Sequence, residues 1–165
     1  MAAGNTYVAI AEQTLGSAAA SVTFSSISGA YTDLVLVFNG AGSTNINMHM
    51  QFNSDTATNY SVTSLGGNGT TVLSYRYANA AHILLNGQAY IETGFTTNVL
   101  ININNYSNAT TYKTSINRFD NAGTGTDAVV GLWRNTAAIT SILLKTHTGT
   151  FSTGSTFTLY GIAAA

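Results

Sequence analysis

The sequence predicts an all-β protein, an antiparallel β-sandwich of jelly-roll type with about ten short strands and little or no helix. Three observations carry this. Ile46-Asn47-Met48-His49-Met50-Gln51-Phe52 alternates apolar and polar residues without a fault, the period of a strand with one buried face. Short runs rich in Val, Ile, Thr, Tyr and Phe recur along the whole chain. Between them stand turn-forming clusters such as Gly40-Ala-Gly-Ser-Thr44, Gly66-Gly-Asn-Gly69, Asn121-Ala-Gly-Thr-Gly125 and Thr153-Gly-Ser155.

In chain order, the expected strands are Tyr7 to Ala11, Val22 to Ile27, Leu34 to Asn39, Ile46 to Phe52, Val72 to Tyr77 and Ala89 to Phe95. They continue with Val99 to Asn104, Tyr112 to Phe119, Ala128 to Arg134, Thr140 to Thr146 and Thr156 to Ile162. Tyr77 to Leu85 is the one stretch with tolerable helix formers, enough for a single turn. No composition break or linker divides the chain, so residues 1–165 read as one sandwich domain with a short N-terminal arm, about residues 1–6.

Thr, Asn, Gly and Ser supply 74 of the 165 residues, whereas charged residues are 7 % and the net charge is −1. Leu, Ile, Val and Phe contribute 39 residues, enough apolar surface to drive folding at this length. The five cations, Arg76, Arg118, Arg134, Lys113 and Lys145, are dispersed, which leaves no electrostatic footprint for nucleic acid. No run approaches the 18 or so apolar residues of a membrane helix, and MAAGNTYVAI has neither the basic nor the apolar region of a secretory signal. With no Cys, disulfides, thiol nucleophiles and thiolate metal sites are excluded. Thr-rich strands lack the edge charges that discourage edge pairing, and a net charge near zero favours association. The expected partner is the chain itself.

Residues able to do chemistry are sparse. His49, His82 and His147 are not spaced as i+2 or i+4 pairs, so they read as three separate surface or edge histidines, with His49 on the solvent phase of its strand. No G-x-S-x-G elbow occurs, and Glu12, Glu92 and the Asp residues form no pair that the sequence singles out for glycosidase work. No catalytic residue, cofactor or metal is expected. Asp55, within Asn53-Ser-Asp-Thr-Ala-Thr-Asn59, is a weak calcium candidate, as are Asp120 and Asp127. Asp127 belongs to a single Gly123-Thr-Gly-Thr-Asp-Ala-Val129 unit of the G-x-G-x-D-x-hydrophobic calcium repeat, which cannot stack alone and reads better as a Gly-rich hairpin loop with an Asx turn. Gly66-Gly-Asn-Gly69 lacks the Lys-Ser/Thr of a phosphate loop. Tyr60, Tyr75, Tyr77 and Tyr106 are candidate glycan-binding or interface aromatics.

Ordered strings along the chain resemble a family of small tailed-bacteriophage virion structural proteins. They are Phe24-Ser-Ser-Ile27 with Tyr31-Thr-Asp-Leu-Val-Leu36, Phe52-Asn-Ser-Asp-Thr56 with Asn59-Tyr-Ser61, and Ile103-Asn-Asn-Tyr-Ser-Asn108 with Tyr112-Lys-Thr114. Trp133, Thr136-Ala-Ala-Ile-Thr-Ser-Ile142 and the ending Gly154-Ser-Thr-Phe-Thr-Leu-Tyr-Gly-Ile162 complete the series. The resemblance implies a non-enzymatic jelly-roll virion component, on head or tail. Taken with the low charge, the Thr-rich strands and the all-β pattern, it leads to the expectation of a capsid decoration or cement protein, a homotrimer contacting the major capsid protein on the head surface and made in the host cytoplasm. The alternative is a tail-fibre, tail-tip or head-fibre domain that recognises host cell-surface glycans.

Overall fold

The computed structural model describes residues 6–163, so the expected N-terminal arm lies outside the described residues except for Thr6. Twelve strands follow one another: β1 (Tyr7–Thr14), β2 (Ser21–Phe24), β3 (Asp33–Gly40), β4 (Met48–Phe52), β5 (Tyr60–Gly67) and β6 (Val72–Ala80). The second half holds β7 (Ile83–Leu84), β8 (Thr97–Asn104), β9 (Lys113–Asn121), β10 (Gly125–Trp133), β11 (Ile142–Thr146) and β12 (Thr156–Ile162). They form two antiparallel sheets, one of eight strands in the order β1-β12-β3-β8-β9-β10-β5-β6 and one of four in the order β2-β11-β4-β7. The all-β sandwich expected from the sequence is present, and the described residues contain no helix. Eight-stranded jelly rolls are built from two Greek keys; here twelve strands divide unequally, eight and four.

Alternation places the core. Leu34, Leu36 and Phe38 of β3, Met48, Met50 and Phe52 of β4, and Val99, Ile101 and Ile103 of β8 are all buried in one cluster. Phe38, Phe151 and Phe157 close one end, with ring centroids 4.8 to 5.5 Å apart. At the other end Trp133 packs 5.6 Å from Phe52 and stacks on Tyr60 at 6.4 Å. These are ordinary aromatic packing distances, and the buried rings contribute heavily to core energetics.

Three local expectations are corrected. Tyr60–Gly67 is a strand that the sequence did not signal, because Ser64 and Gly66 occupy inward positions where apolar residues would have revealed the period. Ala89 to Phe95 forms no strand. Its backbone is captured by side chains instead: Ala89 N–H donates to Asp127 and Tyr90 N–H to Thr124 Oγ1, and only Ile91 makes a bridge, to Ile46. Tyr77 to Leu85 is not helical, since it completes β6, crosses over, and enters β7.

Two surfaces follow from the unequal sheets. Among the described residues no layer covers the centre of the large sheet's outer face, and Leu65, Leu100, Ile116 and Val130 are exposed there. On the small sheet, the β6–β7 crossover lies against the outward side chains of β4, and the candidate site forms at that crossover.

Candidate functional site

On β4, Met48, Met50 and Phe52 face the core, which turns His49 and Gln51 to the other side. Both are nevertheless buried, at 6 % and 3 % exposure. The crossover supplies the cover: Gln51 Nε2 donates to the carbonyl of Ala81 at 2.8 Å, and His82 stacks on His49 with centroids 3.8 Å apart and planes 12° from parallel. His147, just beyond β11, brings its ring to 5.4 Å from His49 and donates its backbone N–H to the Asn47 carbonyl. Lys145 pairs with His49 across β11 and β4. The expectation of three separate histidines, with His49 in solvent, is therefore overturned. His49 does lie on the polar phase of its strand, but a non-local crossover covers that phase.

The cluster lines an open cleft of about 510 Å³, to which Asn47, Tyr77, Asn79 and Leu84 also contribute. Such a volume lies within the range of small-ligand sites. Burial is the first cause holding His49 at a pKa of about 3, followed by the proximity of His82, His147 and Lys145. His82 is lowered as well, by burial first and then by Lys145 and His147. Every charge acting on these two rings is a base, so the imidazoles of His49 and His82 are neutral at pH 7 and each carries one donor and one acceptor nitrogen. A shared metal would need nitrogen lone pairs, which lie in the ring planes, to converge on one point, whereas the stack presents His49 and His82 face to face. Among the described residues no group of three or more His, Asp or Glu is disposed to hold a metal ion.

The three aspartates weighed for calcium are held apart. Asp120 and Asp127 occupy opposite faces of the large sheet. Asp127 is buried and accepts three successive backbone N–H groups, from Gly87 at 3.0 Å, Gln88 at 2.9 Å and Ala89 at 2.8 Å. Asp127 lies inside β10, and the Asx turn of the β9–β10 hairpin loop is made by Asn121, which accepts the Gly123 N–H at 2.9 Å. Asp120 pairs with Arg118 at 2.7 Å and accepts from Thr126 Oγ1. Asp55 accepts from Trp133 Nε1 at 2.7 Å, from Asn59 Nδ2 and from the Ala57 N–H, and these donors hold its carboxyl below the ordinary value against the opposing effect of burial. Each carboxylate is occupied by protein donors.

Of the four candidate tyrosines, two are core residues and cannot form a platform. Tyr60 is fully buried; its hydroxyl accepts from the Phe52 N–H and donates to the Asp55 carbonyl, and burial raises its pKa to about 12. Tyr106 is equally buried and its hydroxyl donates to the Ser28 carbonyl. Tyr75 is half-buried against Gly87, where an added Cβ would meet its ring at 2.4 Å. Its hydroxyl has no hydrogen-bond partner among the described residues. Tyr77 alone offers its ring to the cleft, with 52 % of its surface exposed and its centroid 5.1 Å from that of Tyr75. Lys113, one of the dispersed cations, points inward from β9 and gives its ammonium to the carbonyls of Thr111 and Thr136.

Sequence reasoning missed the histidine cluster because its members are 33 and 65 residues apart and only β4–β11 pairing and the crossover unite them. The one local signal was His49 sitting two residues from Gln51 on a strand whose opposite phase is wholly apolar. No protein-family model matches the chain, and no curated protein matches it either.

Proposed function

We propose that the chain is a non-enzymatic virion structural protein, a capsid decoration or cement subunit that self-associates as a homotrimer on a phage head and contacts the major capsid protein. The observation that supports this most is the bare outer face of the eight-stranded sheet. Register sets Val130 opposite Ile116 and Thr63, and Ala128 opposite Leu65 and Arg118, with Leu100 beyond Arg118. Apolar side chains thus alternate with Thr and Asn across the centre of the face, and Arg118 is neutralised locally by Asp120. From strand spacing and rise, such a face measures roughly 900 Å² in projection, comparable with the ~800 Å² per partner of a standard interface. A water-facing sheet ordinarily carries charge at these positions; this one suits a second neutral surface.

The edges support the same reading. β6 and β1 are the free edges of the large sheet, and β6 is exposed along most of its length with Arg76 as its one charge. A three-fold ring needs two different patches in contact, and a bare face with two unlike edges supplies them. The resemblance to small tailed-phage structural proteins gives the setting, and repeated attachment sites on a shell would multiply modest affinities. Mass spectrometry of purified particles tests this: hundreds of copies per particle are expected. A handful of copies, or a monodisperse monomer missing from particles, overturns it.

A second reading is a fibre or tail-tip domain that recognises host glycans. It is favoured by one observation, the half-bare Tyr77 ring in a cleft furnished with amides and imidazoles.

A further inference from the structure

We propose that the cleft between the β6–β7 crossover and the end of β11 is a binding site for a sugar bearing a carboxylate, a hexuronate unit of an acidic glycan. The carboxylate would sit on the His82 and His147 side of the imidazole cluster and the sugar ring against Tyr77. The inference rests on the glycan-recognition reading and names the class of sugar.

Charge distribution is the first argument. The chain has eight basic side chains, five Lys and Arg and three His. Three of them line the cleft, His49 from β4, His82 from the crossover and His147 beyond β11, and Lys145 of β11 is the cross-strand neighbour of His49. From β6 and β7 the cleft also receives Tyr77, Asn79, which Arg134 holds, and the apolar Leu84, and no carboxylate is among the charges that act on His49 or His82. Several charges elsewhere are paired or capped: Arg118 with Asp120, Asp127 with three N–H groups, and Lys113 with two carbonyls. This cluster of bases is left without its complement. An incoming carboxylate supplies that complement and favours the protonated form of the rings it touches.

The rest of the cleft specifies what carries the carboxylate. Tyr77 gives a flat apolar surface and Asn47 and Asn79 give neutral amides suited to hydroxyls, with Asn79 Oδ1 held by Arg134 Nη2 at 3.0 Å. Burial and the neighbouring bases favour a neutral His82 in the empty site, so a carboxylate placed on that ring brings a proton with it. Affinity therefore rises as pH falls.

Isothermal titration of the full chain with glucuronate, with glucose and acetate as comparators, tests the proposal. Saturable glucuronate binding is expected to tighten about tenfold from pH 7.5 to pH 5.5 through uptake of one proton, with heats that depend on the buffer's ionisation enthalpy. Glucose should give no heat, and acetate a weaker version of the glucuronate response. His82→Gln should abolish the pH dependence, and His147→Gln, at an exposed position, should weaken glucuronate and acetate alike, whereas Tyr77→Ala should weaken glucuronate and leave acetate unchanged. Binding that ignores pH or His147→Gln overturns the proposal. Equal binding of glucose and glucuronate would retain glycan recognition and remove the carboxylate; binding of neither removes both.

Discussion

His49 makes acid the most informative perturbation of this fold. Its pKa is about 3 in the folded chain and 6.5 in the unfolded one. Between those values the unfolded chain binds a proton that the folded chain refuses, so stability is full above about pH 6.5 and falls as pH drops towards 3. At pH 4.5 the gap already covers two pH units, or roughly 3 kcal/mol at about 1.4 kcal/mol per unit. Part of the ring's neighbourhood opens to the cleft and is screened by solvent, which leaves about 2 kcal/mol. With a urea dependence of about 2 kcal/mol per molar, the unfolding midpoint should fall by about 1 M between pH 7 and pH 4.5 through this residue. His82 adds to the fall in the same direction. His49→Gln keeps a polar side chain of similar reach but cannot titrate, so its midpoint should fall by about 1 M less than the wild type's over the same interval. Parallel pH curves for the two proteins would refute the reasoning.

The other predictions concern Asp127, Tyr60 and the bare sheet face. Asp127→Ala strips the acceptor from the N–H groups of Gly87, Gln88 and Ala89 and leaves them in a part-buried loop; a loss of roughly 3–5 kcal/mol is expected, read by calorimetry as a Tm lower by about 10 °C. Tyr60→Phe orphans the buried Phe52 N–H and should cost about 1–3 kcal/mol in denaturant unfolding; a neutral result would mean that another acceptor reaches that N–H. Ile116→Lys combined with Val130→Lys places two charges side by side on the outer face, where both positions are about half exposed. Folding stability should change by less than about 0.5 kcal/mol per site, while sedimentation shows the oligomer dissociating. An unchanged oligomer would move the interface away from this face.

Much of this protein is written locally. The strict alternation of residues 46–52, the β-branched runs and the Gly/Asn turns fix the class and the approximate position of most strands, because period and turn chemistry act within a few residues. The same local logic failed where pairing outweighed pattern. Tyr60–Gly67 is a strand because β10 and β6 flank it, in spite of Ser and Gly on its inner face, and Ala89 to Phe95 is not one because Asp127 and Thr124 take up its backbone donors. The near-absence of charge was readable from composition alone, but its placement was not. Register gathers neutral residues onto one sheet face, and the crossover brings all three histidines to one cleft. Which residues become neighbours across a sheet is set by strand order and crossovers, and these are decided by burying the whole core at once. That is why the sequence alone determined a low-charge β-sandwich, and why only the tertiary structure decided that His49, His82 and His147 meet, that Asp127 is a buried cap, and that Tyr77 alone of the four candidate tyrosines faces the cleft with its ring half bare.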